Sequence, residues 1–343
     1  MRKQLAVLPL LTSLGLAPAF AQSDRPAPVT IDNFIRAESD LYFGAIVEKG
    51  GFGKFDKSRG VPSVEQAVSN MNRDTLYAAA VFDLDAGPVT IVLPDPGKRF
   101  ISMQVITEDA YTPAVIYEPG SHTFTREQIG TRYVLAALRI LVDADSSKDV
   151  AKARALQNAV RVSQQGSPPG TFEVPRWDPK TQQRVREALL VLADTVPDTR
   201  GMFGPKGKVD PVRRLVGAAS AWGGQPEQES TNLTVVPARN DGKTVHKLAV
   251  KDAPVAGFWS IAVYNGEGFF EPNGLGVYSV NSSNAKKAKD GTITVQFGGC
   301  TPKTANCMPI MSGWNYMLRL YRPGEEILNG TWKFPIAEPL PTK

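Results

Sequence analysis

The chain has 343 residues, 42% of them hydrophobic and 21% charged, and a formal net charge of +5. A charge that small, spread along the whole chain, excludes nucleic acid or an anionic membrane surface as the natural partner. A zinc centre is not expected: the two thiols would need two more ligands, and the chain's only histidines are His122 and His246.

The N-terminus reads MRK, runs apolar from Leu5 to Phe20 and closes on Ala19-Phe20-Ala21 before Gln22. A basic start, a short apolar run and an A-x-A-like exit predict a secretory signal peptide over residues 1–21. The run is short for a membrane span, and Pro9 and Pro18 interrupt it. Cleavage after Ala21 would leave 322 residues (343 minus 21) with a charge of +3, since Arg2 and Lys3 are lost. No later stretch is apolar for long enough to span a bilayer, so the expectation is a soluble protein of the bacterial periplasm or exterior. Its length exceeds what one core usually holds, which predicts two domains.

A helix is expected from Ile31, where Ile31, Phe34, Ile35, Leu41, Tyr42, Ala45 and Ile46 recur near helical spacing, Thr30 can cap, and "KGGFGKF" ends the run. From Thr75 to about Val142 short strands alternate with turn residues. The turn Asp95-Pro96-Gly97 divides "VTIVL" from "FISMQVI" and predicts a hairpin. Residues 147–225 read as helical. Asp178-Pro179 and Asp210-Pro211 each supply a capping acid and a first-turn proline, and Val185, Ala188, Leu189, Leu192 and Ala193 form an apolar stripe. Strands resume near Leu233 and continue to Phe334. The order of helix, strands, helices and strands predicts an α+β protein, with a β-rich N-terminal domain over 30–146, a helical middle segment over 147–225 and a C-terminal β domain over 226–343. In "GGCTPKTANCMPI", Cys300 and Cys307 are spaced to close a small loop by a disulfide in an exported chain.

Several blocks resemble a known family of exported proteins. "RAESDLYFG", "NRDTLYAAAVFDLDAGPVTIVLPD" and "RFISMQVITEDAYT" resemble its N-terminal half; "VAGFWSIAVYN", "YSVNSS", "DGTITVQFG" and "WNYMLRLYRPGEEILNGTW" are similar to its C-terminal half. The two halves are domains of unknown function 1254 and 1214. The resemblance covers nearly all of the chain after residue 21. It implies a jelly-roll-like C-terminal sandwich and transfers no catalytic residue; the kinship of such sandwiches to carbohydrate-active folds is analogy. Two positions depart from the family pattern: Ala78 stands where Ser is common, and Cys307 where Trp is expected, which would confine the disulfide to a subgroup.

The candidate chemistry begins at Asn72-Arg73-Asp74, a polar knot opening an apolar strand. Asp74 extends the row Leu76, Ala78, Ala80, Phe82, while Arg73 lies with Thr75 and Tyr77 on the other face. Arg73 therefore cannot neutralise Asp74, which needs a distant partner: another arginine, or the backbone of a loop such as "GGFG". Either the knot anchors the strand, or Asp74 is an acid or base at a pocket rim where Arg73 clamps an anionic group. Glu108, Asp109 and Tyr111 in "TEDAYTP", and Glu267 and Glu271 around Phe269-Phe270, offer acids beside aromatic faces, as glycoside hydrolysis needs; each also reads as a solvated strand end or a plugged hairpin. In "WNYMLRLYRPG", Arg319 shares the outward face with Asn315, Met317 and Tyr321, where it could bind a ligand or sit in a surface salt bridge. His122 in a turn and His246 in a strand read as structural. No G-x-S-x-G elbow, phosphate loop, HExxH or dinucleotide fingerprint appears, so no cofactor is expected.

Two functions follow. The first is carbohydrate-type binding or hydrolysis in a cleft between two β domains, with Asp74, Asp109 and Glu271 catalytic and Arg73, Tyr77, Tyr111, Trp259 and Arg319 on the ligand, aided by Tyr264 and Trp314. The second is a non-catalytic envelope-associated binding or structural protein in which the acids are scaffolding.

Overall fold

The structure, a computed structural model, describes residues 25–57, 64, 69–164 and 169–341; the expected signal peptide lies outside them. Helix α1 (Phe34–Glu48) leads into β1 (Thr75–Asp83), β2 (Val89–Leu93), β3 (Ile101–Thr107), β4 (Ala114–Ile116), β5 (Gly120–Phe124), the single-turn α2 (Arg126–Ile129) and β6 (Tyr133–Leu141). The middle segment holds α3 (Ser147–Ala159), a strand β7 (Arg161–Gln164), α4 (Pro179–Ala193) and α5 (Pro211–Ser220). The C-terminal part holds β8 (Ser230–Val235), β9 (His246–Val250), β10 (Trp259–Tyr264), β11 (Ser279–Asn281), β12 (Ile293–Phe297), β13 (Cys307–Met308), β14 (Asn315–Tyr321), the short α6 (Glu325–Leu328) and β15 (Glu338–Pro339). This is an α+β protein whose strands form sandwich-like layers.

In the N-terminal half one sheet runs β1-β6-β3-β4 and a second runs β5-β2-β7. Strand β1 reads TLYAAAVFD, with almost no polar alternation, because both its faces are covered. Ala78, Ala80 and Phe82 pack with Ile91, Leu93 and Met103, while Ala79 and Val81 pack with Phe43 and Ile46 of α1. Its outer edge is covered too: Gly51 O accepts from Val81 N at 2.8 Å, Gly53 N donates to Val81 O at 2.9 Å, and Asp56 N donates to Ala79 O at 2.8 Å. Such pairing removes the aggregation hazard of a bare edge. It also demands glycine at position 51, where a Cβ would stand 2.6 Å from Ile46 Cγ2. The "GGFG" backbone is thus committed to Val81 and not to the Asp74 carboxylate.

The expected β2–β3 hairpin does not form. The chain reverses after Asp95-Pro96-Gly97, but β2 pairs with β5 and β7 whereas β3 pairs with β6 and β4. The turn residues report the change of direction; they carry no information about which sheet receives the next strand. Likewise the middle segment is not wholly helical, since β7 returns to pair with β2.

The C-terminal sandwich stacks sheet β11-β10-β14-β8 on sheet β13-β12-β9-β15. Its core contains Trp259, Val295, Phe297, Trp314, Tyr316, Leu318 and Phe334. Strands β9 and β12 alternate buried and outward residues, as a two-layer core requires. Cys300 and Cys307 are joined in a disulfide at the start of β13.

The helices start as their sequences predict. Asp178 accepts from Lys180 N and Asp210 from Arg213 N, each with proline in the first turn. Their apolar faces differ from expectation. Of the α4 stripe only Leu189 is buried, and Val191 and Leu192 face solvent. Helix α1 buries Phe34 and Ile46 as expected, but it also buries Glu38, Ser39 and Asp40, while its Leu41 and Tyr42, and Ile31 before it, are exposed. The reason is a set of polar partners from far along the chain. Glu38 Oε1 accepts from Arg186 Nη2 at 2.6 Å and Gln182 Nε2 at 2.8 Å; Trp222 Nε1 donates to Ser39 Oγ at 3.2 Å; Trp177 Nε1 donates to Asp40 Oδ2 at 2.8 Å. Among the described residues no helix is long and apolar enough to cross a membrane.

Candidate functional site: a cleft between the two β halves

The polar knot that opens β1 sends its three side chains three ways. Asn72 Oδ1 accepts from Asp74 N at 2.9 Å, which fixes the amide so that its Nδ2 donates to Tyr77 OH at 2.9 Å and Tyr321 OH at 2.8 Å. Arg73 pairs with Asp145 at 3.4 Å and lies 5.3 Å from the Tyr278 ring centre. Asp74 is buried, and its Oδ1 accepts from Ser279 Oγ and Asn281 Nδ2, both at 3.2 Å, on β11 of the C-terminal sandwich. Asp74 is therefore a tie between the halves. Its Oδ2 is buried without a described partner.

That tie holds two sheets face to face across a cleft of about 380 Å³. From the N-terminal sheet come Tyr77 on β1 and Arg139 on β6, direct cross-strand neighbours with the guanidinium 5.7 Å from the Tyr77 ring centre. From the C-terminal sheet come Met317, Arg319 and Tyr321 on β14, opposite Asn232 on β8. The face assignment read from "WNYMLRLYRPG" explains this set: Tyr316, Leu318 and Leu320 fill the sandwich, leaving the alternate residues for the cleft. Residues 69–72 form part of the wall, held by the C-terminal loop through Asn70 N donating to Gly268 O at 2.7 Å. Gly268 has φ +86°, and a Cβ there would lie 3.0 Å from Ser69, so this close approach requires glycine. Phe203 and Gln225, from the loops flanking α5, close one side.

Arg319 is only 5% exposed. Its Nη2 donates to Asn70 O at 2.7 Å and Tyr264 OH at 2.8 Å, and its Nη1 is buried with no described partner. Among the described residues no carboxylate lies within salt-bridge distance of it, which corrects the expectation of a surface salt bridge. Burial works against its charge, but the phenols of Tyr264 and Tyr321 and the charge of Asp74 favour it, so its pKa is held above the ordinary value. Burial likewise pushes the Tyr321 phenol far up, keeping it a neutral donor. Arg139 Nη1 donates to the neutral Gln104 Oε1 at 2.8 Å.

The three candidate acids do not meet. Asp74 faces Ser279 and Asn281; Asp109 Oδ1 accepts from Arg36 Nη2 at 2.5 Å; Glu271 is exposed, with Oε1 accepting from Asn265 Nδ2 at 3.2 Å. None lines the cleft. Trp259 and Trp314 are core residues with no face available to a sugar. Tyr111 stacks under Arg214, 4.2 Å from ring centre to guanidinium carbon, near Asp109 and α5. Of the expected ligand residues, Tyr77 and Arg319 line the cleft, and Arg73, Tyr111 and Trp259 do not. Arg139, Asn72, Tyr321 and Gln225 were absent from the expected set. Asn72 stands in the polar knot and Tyr321 beside Arg319 on the outward face of its strand, and Arg139 carries a signal as a lone cation inside the apolar strand "YVLAALRIL".

A second polar cluster lies on α1. Glu108 Oε2 accepts from Tyr133 N at 2.8 Å, and Arg36 reaches both Glu108 and Asp109. Burial raises the pKa of Glu108, and that of Asp40 to about 6. No group of three or more His, Cys, Asp or Glu among the described residues could hold a metal ion.

Comparison with known proteins adds family and fold. Residues 52–129 match the family described as protein of unknown function (DUF1254), and residues 237–325 match protein of unknown function (DUF1214). No curated protein matches the chain. Among solved structures, the VPA0106 protein from Vibrio parahaemolyticus is similar over 91% of this chain and 98% of its own, with a TM-score of 0.73 at 17% identity, a likeness of fold. An uncharacterized protein from Burkholderia cenocepacia aligns over 90% of this chain and 87% of its own, at 11% identity and a TM-score of 0.43, too low to carry an argument.

Proposed function

Because this chain carries the paired domains of unknown function 1254 and 1214, whose descriptions assign no reaction, we propose its function from the cleft: it binds a small polar ligand between its two β halves. The single observation behind this reading is the convergence of hydrogen-bonding side chains from both halves, Tyr77 and Arg139 on one wall and Arg319, Tyr321 and Asn232 on the other, around one open space. At about 30 Å³ per water, that space holds roughly a dozen waters, room for a ligand the size of one sugar ring. Binding is favoured over hydrolysis because paired-acid chemistry needs two carboxyl groups across one bond. Asp74, Asp109 and Glu271 instead have separate partners in separate places. The disulfide supports work in an oxidising compartment, in keeping with an exported protein.

A thermal-shift screen of polar metabolites against the wild-type chain and Met317→Trp tests this. A true cleft ligand at about 100 times its Kd stabilises the native state by about 2.7 kcal/mol. Filling the cleft with the larger ring should abolish that shift. A shift that survives in Met317→Trp places the ligand elsewhere and overturns the reading, and turnover of the ligand to product would make the protein an enzyme.

A further inference from the structure

Resting on that reading of the cleft, we infer that its ligand is an anion, a small organic acid whose carboxylate is received by Arg319 and Arg139. Arg319 Nη1 and Gln225 Nε2 are buried hydrogen-bond donors with no described partner, and both side chains line the same space. Tyr77 OH and Tyr321 OH each accept from Asn72 Nδ2, and neither phenolic proton has a described acceptor. The cleft therefore presents four unused donor groups from three chain segments: β1, β14 and the loop after α5. No Asp or Glu is among its described lining residues.

Charge points the same way. Two guanidinium groups line the cleft, and the partners described for them there are neutral: Asn70 O and Tyr264 OH for Arg319, Gln104 Oε1 for Arg139. Asp74 favours the charge of Arg319 without an ion pair between them, and offsets at most one of the two positive charges. An isolated buried cation is costly in a medium of low polarity, so a site that retains one without a carboxylate is complementary to an incoming negative group. The planar fork of arginine suits a carboxylate, which can accept two parallel N–H bonds. The body of the ligand is also constrained: Met71, Met317 and Phe203 supply apolar surface in the same cleft.

Calorimetric titration with two matched pairs, glucuronate against glucose and benzoate against benzamide, reads the preferred charge. In at least one pair the carboxylate should bind at least about tenfold tighter than its neutral partner. Arg319→Met should weaken that binding by roughly tenfold to a hundredfold, the loss expected for a charge-assisted hydrogen bond, with Arg319→Lys intermediate. Arg139→Gln, on a different strand, repeats the test if Arg319→Met fails to fold. Equal binding of the neutral member, unchanged in both arginine variants, overturns the anion and leaves the cleft reading standing. Carboxylate binding that persists in Met317→Trp lies outside the cleft and overturns it too. Failure of both carboxylates, and of sulfate and phosphate, at millimolar concentration also overturns it.

Discussion

Two buried acids of the scaffold and the buried arginine of the cleft are satisfied in opposite ways. Glu38 is fully buried and meets Arg186 at 2.6 Å; Asp83, at the end of β1, meets Arg132 at 2.9 Å. Each pair joins segments far apart in sequence, and each acid has its cation in contact. In the cleft, Arg319 is equally well buried but is held only by a carbonyl and a phenol. The difference teaches that burial of a charge is not by itself a mark of function. A charge whose partner is part of the same chain is scaffolding; one that lacks such a partner and also lines an open cleft, as Arg319 does, is where the proposed ligand is to be sought.

The sharpest test compares two arginines. Arg186→Met strands the Glu38 carboxylate in the interior and should cost about 3 kcal/mol in urea unfolding. Arg319→Met strands no carboxylate in contact and should cost about 1 kcal/mol in the ligand-free protein. Equal losses would erase the distinction between the regions.

A second test concerns Asp40, whose pKa is raised to about 6 by burial. A carboxyl with a raised folded pKa binds more protons folded than unfolded. Its contribution is thus fully present below about pH 3.9, its unfolded value, and is lost as pH rises through about 6. Asp40→Asn keeps an oxygen for the Trp177 N–H, should stabilise the protein at pH 7 on the order of 2 kcal/mol, and should flatten the fall in stability between pH 4 and 7. A residual slope of the same sign belongs to Glu108, whose pKa burial also raises. An unchanged pH profile would mean that Asp40 is already neutralised by a partner, as Glu38 is.

Asp74→Asn is the subtler perturbation. It keeps one oxygen to accept from Ser279 Oγ and Asn281 Nδ2 but removes the charge that strengthens both bonds, and should cost roughly 1–2 kcal/mol. Because the tie joins the halves, the loss should show as a less cooperative unfolding transition with separated fluorescence and circular-dichroism midpoints.

Local rules made much of the fold legible. The alternation of β14, the capping acids Asp178 and Asp210 and the Cys300–Cys307 closure all rest on neighbours within a few residues. What misled was decided at long range. The polar face of α1 is buried because Trp177, Arg186 and Trp222 lie against it, well over a hundred residues away. The β2–β3 turn named a reversal and not a sheet. In the site, alternation placed Arg319 on the outward face of β14, but a strand's outward face can be solvent or another sheet, and only the docking of the N-terminal half makes it the latter. The need of Asp74 for a distant partner was readable from Arg73 pointing away; that the partner would be Ser279 and Asn281, on the other sandwich, was not.

The Asp74 tie also fixes an order of events during biosynthesis. Its acceptor belongs to the first long strand, and its donors lie 205 and 207 residues later. A nascent chain therefore finishes the N-terminal layers long before the groups that satisfy this carboxylate exist, and closing so wide a loop is slow compared with local folding. Docking of the two halves becomes the last step of maturation. Until it occurs, the Asp74 carboxylate lacks both of these donors.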